Sequence, residues 1–173
     1  ERREPYDVLL LSPGAVPIRP PFPGIDSPGV HTLRNIPDMD RILADLHHHP
    51  CKRAVVVGAG FVGLEVVEQL VHRGIEVTLI ERLPQILGPL DEELAKLVQE
   101  ELVNNQVSLH LNATVESLQR EHQRVTAVRL VSGESIATDL VIVGAGVRPR
   151  TELAVQAGLS LGASGGVAVN EFM

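Results

Sequence analysis

The sequence predicts an α/β fold, a parallel sheet flanked by helices with a three-stranded antiparallel meander, and two patterns carry that expectation. Ala54–Val57 and Leu140–Val143 are continuous, mostly β-branched apolar runs, as expected of strands buried on both faces. Around them the apolar spacing changes from helical over Val62–Arg73 to period two over Val107–Val131. At 173 residues, 44% hydrophobic and 21% charged, the chain has enough apolar material for a buried core.

Taken in order, Asp7–Leu11 reads as a strand. Ser12 to Pro28 reads as an extended connector, because Pro20, Pro21 and Pro23 donate no ladder hydrogen bonds. A short helix is expected from Pro37 to His47, where Met39, Ile42, Leu43 and Leu46 recur at helical spacing after Asn35 and Asp38. The Ala54–Val57 strand leads into a helix over Val62–Arg73, with Val62, Val66 and Leu70 inward, ended by Gly74. Ile75–Ile80 is the next strand.

A second helix begins near Asp91, with Leu94, Leu97, Val98 and Leu102 as its expected inner stripe. Val107–Leu111, Thr114–Arg120 and Val125–Val131 alternate as short strands, and Ser132-Gly133-Glu134 reads as a hairpin loop. After Leu140–Val143, a last helix over Thr151–Ala157 is expected to be capped by Thr151 and stopped by Gly158.

A formal charge of −7 with no basic stripe, and only four aromatic residues, argue against nucleic acid as a partner. The longest run without polar side chains, Ala54–Leu64, is about half of a membrane span, so no membrane partner is expected. A single cysteine, Cys51, excludes an internal disulfide and fits a reducing, cytoplasmic setting. The opening at Glu1, without methionine or leader, suggests a piece of a longer protein.

The strongest motif is Gly58-Ala59-Gly60-Phe61-Val62-Gly63, directly after a strand and opening a helix. Gly58 allows the tight turn, Gly60 lets backbone approach a pyrophosphate, and Gly63 lets the helix pack closely on the sheet. The helix N-terminus then faces the diphosphate. Glu81 ends the next strand, where a carboxylate can bind the adenosine ribose hydroxyls, with Arg82 beside it. These residues point to NAD(H), with NADPH as the alternative. A second cluster, Gly144-Ala145-Gly146, follows the Leu140–Val143 strand; on sequence grounds Gly146 is either an ordinary turn or a close approach to the coenzyme's far half.

Other tempting residues are weaker. His47-His48-His49 cannot converge on one ion, because successive helical residues point about 100° apart; no metal site is expected. Cys51 carries no sign of an activated thiol. By periodicity Glu65 is a solvent-facing helix residue, and Phe61 is a hydrophobe at a helix start.

The chain also resembles the flavoprotein pyridine nucleotide–disulfide oxidoreductases along almost its whole length. Tyr6 to Ala15 resembles that family's strand and A-T-G segment beside the flavin, with Pro13 in the threonine's place and the Gly14 turn retained. Gly58–Gly63 with Glu65 resembles its NAD(P)H motif, and Thr138-Asp139 through Gly146 to Pro149 its second glycine motif. Gly166–Asn170 resembles the strand returning to the flavin domain. Phe22–Asp26, Thr32–Asn35 and Glu81–Leu87 resemble the branch of CoA-disulfide reductases, NADH oxidases and NADH peroxidases.

The resemblance implies a Rossmann-like FAD/NAD(P)-binding fold. Residues 1–48 would be flavin-domain tail and connector, 49–150 the NAD(H)-binding domain, and 151–173 the return segment. It implies FAD in a parent enzyme, a homodimeric parent, and the rest of the flavin domain as partner. It also sets Glu65 and Phe61 near the nicotinamide and Gly14 beside the flavin. No catalytic residue lies within the chain on this reading, and the redox cysteine lies outside it. A stand-alone Rossmann dehydrogenase and a non-catalytic dinucleotide-sensing module are the rival readings.

Overall fold

The computed structural model describes residues 3–172. They form two compact units: a larger one from Pro17 to Gly146, and a smaller one of the described residues up to Val16 together with those from Val147 onward. The sequence places a divide at residues 48/49, but the larger unit begins at Pro17. Val30–His31 (β2) pairs with Leu140–Val143 (β9), and Ile42 of the first helix is buried in the core, so this segment folds with the sheet.

Ala15–Pro17 (β1), whose first two residues belong to the smaller unit, pairs with Val147–Pro149 (β10) of that unit, which also holds a short helix, Glu152–Gln156 (α4). The strand expected over Asp7–Leu11 is irregular and exposed, since no strand among the described residues pairs with it. Gly166–Asn170 is not a strand either; only an isolated bridge, Leu161 to Val167, forms there. Thr151 stands at the start of α4, but its side chain makes no capping hydrogen bond.

The larger unit is built on a five-stranded parallel sheet in the order β2-β9-β3-β4-β5, where β3 is Arg53–Val57, β4 Glu76–Ile80 and β5 Ser108–His110. The central strands alternate strictly. Ala54, Val56, Val77, Leu79, Leu140 and Ile142 face one core, while Val55, Ile80, Val141 and Val143 face the other.

Helices cover the first face: Ile36–His48 (α1), Phe61–His72 (α2) and Glu92–Asn104 (α3) contribute Ile42, then Val66, Val67 and Leu70, then Ala95. The second face is covered by an antiparallel meander of Val115–Glu121 (β6), Arg124–Leu130 (β7) and Ser135–Ala137 (β8). Among the described residues no helix is long and apolar enough to cross a membrane.

Two expectations shift within this frame. The Val107–Leu111 strand is the parallel edge strand β5, and the meander's third strand is Ser135–Ala137. That strand is too short, and too exposed at Ser135 and Ala137, to carry an alternating pattern. In α3 the core side is Ala95 with Val98 and Leu102 half-buried, whereas Leu94 and Leu97 are exposed.

Helix α1 is fixed at both ends. Asn35 accepts from the Asp38 N–H while the Asp38 carboxylate accepts from the Asn35 N–H, completing a capping box. Near its other end, the almost fully buried Asp45 carboxylate meets His31 Nε2 at 2.6 Å, His49 Nδ1 at 2.8 Å and Arg124 Nη1 at 2.8 Å. One acid thus ties α1 to β2 and β7.

Burial alone would raise the Asp45 pKa, but hydrogen bonds from His31 and Arg124 outweigh it and hold the carboxyl below its ordinary value of 3.8. A lowered folded-state pKa means this contribution is present above that value and is lost as pH falls through the lower one. Asp45→Asn should therefore cost about 3 kcal/mol at neutral pH in a denaturant melt. The gap between variant and parent should narrow as the pH is taken below about 4.

Candidate dinucleotide site

Three strands end at one level. Val57 pairs with Ile80 on one side and Val143 on the other, so Gly58, Glu81 and Gly144 leave the sheet together at its carboxyl edge. The chain winds from β3 through α2 to β4 on one side of β3, while β9 lies on the other. In open α/β sheets this reversal point is where ligands bind.

The strand ends are laced by backbone: the Gly58 N–H donates to Ile80 O at 2.8 Å and the Gly144 N–H to Val57 O at 2.7 Å. A Cβ on Gly58 would lie 2.4 Å from Gly144 O, and φ there is +104°; a Cβ on Gly63 would lie 2.0 Å from Gly58 O. At both glycines a β-carbon would force the neighbouring backbone to shift.

Gly60 is different. Nothing lies within 4 Å of where its Cβ would be, and its φ of −81° and ψ of −176° suit any residue. Packing does not explain the missing side chain. Gly60 also starts α2 without a side-chain cap, and the first-turn N–H groups of Phe61 and Val62 have no hydrogen-bond partner among the described residues. A bare helix start beside an open glycine fits a diphosphate.

Glu81 closes the turn from the other side. Its Oε2 accepts from the Ala59 N–H at 2.8 Å and its Oε1 from the Leu83 N–H at 2.9 Å. The Ala59 carbonyl in turn accepts from the Leu87 N–H at 2.9 Å. Ile86 and Leu87 are buried and anchor this loop. The loop after β5 braces it further, with Asn112 N–H donating to Leu83 O and Ala113 N–H to Glu81 O.

Gly58, Gly60, Gly63 and Glu81 thus share one turn, with Arg82 exposed beside them and its guanidinium without a partner among the described residues. Phe61, Val62 and Glu65 run along α2 and line a groove of about 670 Å³ between α2 and α1, opposite Met39 and Leu43. Phe61 is 68% exposed and Val62 48%, so neither packs inward as helical spacing suggests. Gly146 follows two residues after Gly144, and its carbonyl accepts from the Ile18 N–H. Gly14 belongs to the smaller unit, where its carbonyl accepts from the Arg150 N–H.

Ala59, Leu83 and Leu87 escape sequence reasoning because they contribute backbone groups; the adjacent apolar pair Ile86-Leu87 is the signal that points to them. Thr138 and Asp139 work at the opposite end of the sheet. Thr138 Oγ1 donates to Leu140 O at 2.7 Å, and Asp139 Oδ2 accepts from the N–H groups of Lys52 and Arg53 at 2.9 Å each. The Cys51 thiol is pushed up to about 11 by burial and by Asp139 nearby, so it is not a poised nucleophile. Among the described residues, no group of three or more His, Cys, Asp and Glu could hold a metal ion.

An open parallel sheet with a glycine turn at its reversal point and an acid at the next strand tip defines a Rossmann-type α/β protein. The family described as pyridine nucleotide-disulphide oxidoreductase matches residues 1–173, and the chain belongs to it. It is 39% identical over 169 residues to an NADH oxidase of Methanocaldococcus jannaschii, covering 97% of this chain and 37% of that protein.

Reduced Bacillus anthracis CoADR-RHD superposes with a TM-score of 0.92 at 47% identity, over 97% of this chain and 30% of that one. The NADH-bound, water-forming NADH oxidase of Lactobacillus brevis superposes at 0.88 and 29% identity, over 98% of this chain and 37% of that one; an engineered, NADPH-bound NADPH oxidase form of it gives the same values. The chain spans well under half the length of these relatives.

The glycines should separate in a thermal melt. Gly60→Ala should melt within a degree or two of the parent, since its backbone and surroundings accept a methyl group. Gly58→Ala and Gly63→Ala should each lose more than about 2 kcal/mol, through strain at a positive φ and overpacking respectively.

Proposed function

We propose that this chain is the NAD(H)-binding part of an FAD-dependent pyridine nucleotide–disulfide oxidoreductase of the NADH oxidase or CoA-disulfide reductase type. The carrying observation is Gly60, a glycine with ordinary backbone angles and open space at its Cβ. The diphosphate lies over Gly60 and takes hydrogen bonds from the N–H groups of Phe61 and Val62. Glu81, at the tip of β4, accepts from the adenosine ribose hydroxyls with the lone pairs that Ala59 and Leu83 leave free. Glu65, Phe61 and Gly146 border the nicotinamide half.

In the parent enzyme, bound FAD would accept hydride from NADH and pass the electrons on. The parent is a homodimer on this reading, Gly14 lies beside its flavin, and its redox cysteine is not Cys51. This chain's share is to bind and orient the coenzyme. The coarse division of the chain into flavin-domain edges around a nucleotide-binding centre belongs to the same proposal, with the centre extended to begin at Pro17.

Coenzyme choice turns on Glu81 and Arg82. In the engineered NADPH oxidase, a glycine and an aspartate eighteen residues apart both become alanine, and the residue after the aspartate becomes arginine. Gly63, Glu81 and Arg82 stand at those intervals here, so the chain carries an NADH-type acid beside an NADPH-type base. The acid occupies the strand tip and is held there by two N–H groups, which supports NADH.

NADH should bind more tightly than NADPH in paired titrations at low salt, by about tenfold for a like charge facing the added phosphate. Gly60→Val should abolish binding of both while leaving the melt intact. Equal affinity for the two coenzymes would assign the site to Arg82.

A further inference from the structure

Glu81 makes contacts that a ribose acceptor alone does not need. Its two carboxylate oxygens accept from Ala59 N–H, inside the glycine turn, and from Leu83 N–H, in the loop that follows. Ala59 is 1% exposed and its carbonyl accepts from Leu87 N–H. The peptide groups flanking the Ala59 Cα are therefore both held by one loop, residues 81–87.

That loop is itself held firmly. Ile86 is fully buried, and Leu87, a γ-branched residue, is kept at φ +48°, a region side chains seldom occupy. Backbone in such a conformation persists only where its surroundings over-determine it. The buried Ile86 and the Leu87-to-Ala59 hydrogen bond supply that determination.

We propose that Glu81 is a positioning residue for the diphosphate turn as well as the acceptor for the ribose: its carboxylate orients the Ala59 peptide, and through it Gly60 and the first turn of α2. The proposal rests on the coenzyme reading and adds a second role to one of its residues. The consequence is that changing Glu81 loosens diphosphate binding even for a coenzyme whose adenosine has no ribose hydroxyls to offer.

The test uses the 173-residue chain, its Glu81→Ala and Glu81→Gln variants, NADH, and an NADH analogue with a 2′,3′-dideoxyadenosine half. Thermal melts first establish that each variant folds, and Glu81→Gln, nearly isosteric, stands in if the alanine variant does not. Without ligand, amide exchange at Ala59 should quicken about tenfold or more in the variants, as expected for the loss of a hydrogen bond to a charged acceptor. With ligand, the dideoxy analogue should bind the variants about tenfold more weakly than it binds the parent chain.

Unchanged Ala59 exchange, or an unchanged affinity for the dideoxy analogue, would overturn the positioning role and leave Glu81 as a ribose contact only. Failure of the parent chain to bind NADH would instead overturn the coenzyme reading, and the exchange measurement would still decide whether Glu81 orders the turn.

Discussion

Two backbone turns approach each other more closely than a β-carbon permits, and the ligand end of this molecule depends on that contact. Gly58 meets the Gly144 carbonyl, and Gly63 meets the Gly58 carbonyl, at distances a side chain reaches only if the backbone shifts. The approach brings the ends of β3 and β9 together and sets the start of α2 against the sheet. Helix direction follows from it, and so does the orientation of the free N–H groups on α2. Gly60 then lies at the one point of the turn where the chain leaves space.

Much of this was legible in the sequence, for identifiable reasons. Buried parallel strands are written as uninterrupted apolar runs, so β9 is legible to the residue and β3 to within one. Asp91 stands at the start of α3 without a side-chain cap hydrogen bond, and Gly74, at positive φ, follows the end of α2 as helix-terminal chemistry dictates. Ser135–Ala137 was illegible, because three residues with one half-buried isoleucine carry no period. Leu94 and Leu97 misled because α3 has apolar residues on more than one face, and spacing alone does not say which face meets the sheet. Asp7–Leu11 has the composition of a strand but, among the described residues, no strand to pair with. At the site, residue types announced the glycine turn and Glu81. The clasp on Ala59 stayed hidden because its donors and acceptor, Glu81 apart, are main-chain atoms.

The two edges of the parallel sheet are finished in opposite ways. At the amino edge several polar groups are paired. Asp139 receives two backbone N–H groups, the Thr138 hydroxyl donates to Leu140 O with Arg53 O also within reach, and Asp45 gathers His31, His49 and Arg124. At the carboxyl edge the N–H groups of Phe61 and Val62 and the Arg82 guanidinium have no partner among the described residues. Polar groups satisfied at one end and left available at the other are what a scaffold carrying a binding site requires, since a rigid base allows the open end to remain unpaired without fraying.

If the proposed coenzyme reading holds, the pairing of Glu81 with Arg82 weights one ligand against another. A glutamate on a mobile side chain would have to be ordered when a ribose arrives, and so would an arginine reaching for a phosphate, which carries about 2 kcal/mol of rotamer freedom. Glu81 is ordered already, because the Ala59 and Leu83 N–H groups hold both its oxygens. Arg82 has no comparable restraint. The acid therefore meets a hydroxyl at almost no entropic cost, while the base must lose its freedom before it can offset the repulsion between the added phosphate and the carboxylate. On the proposed coenzyme reading, preorganisation by the glycine turn adds to the carboxylate's repulsion of the added phosphate, and both favour the unphosphorylated ribose.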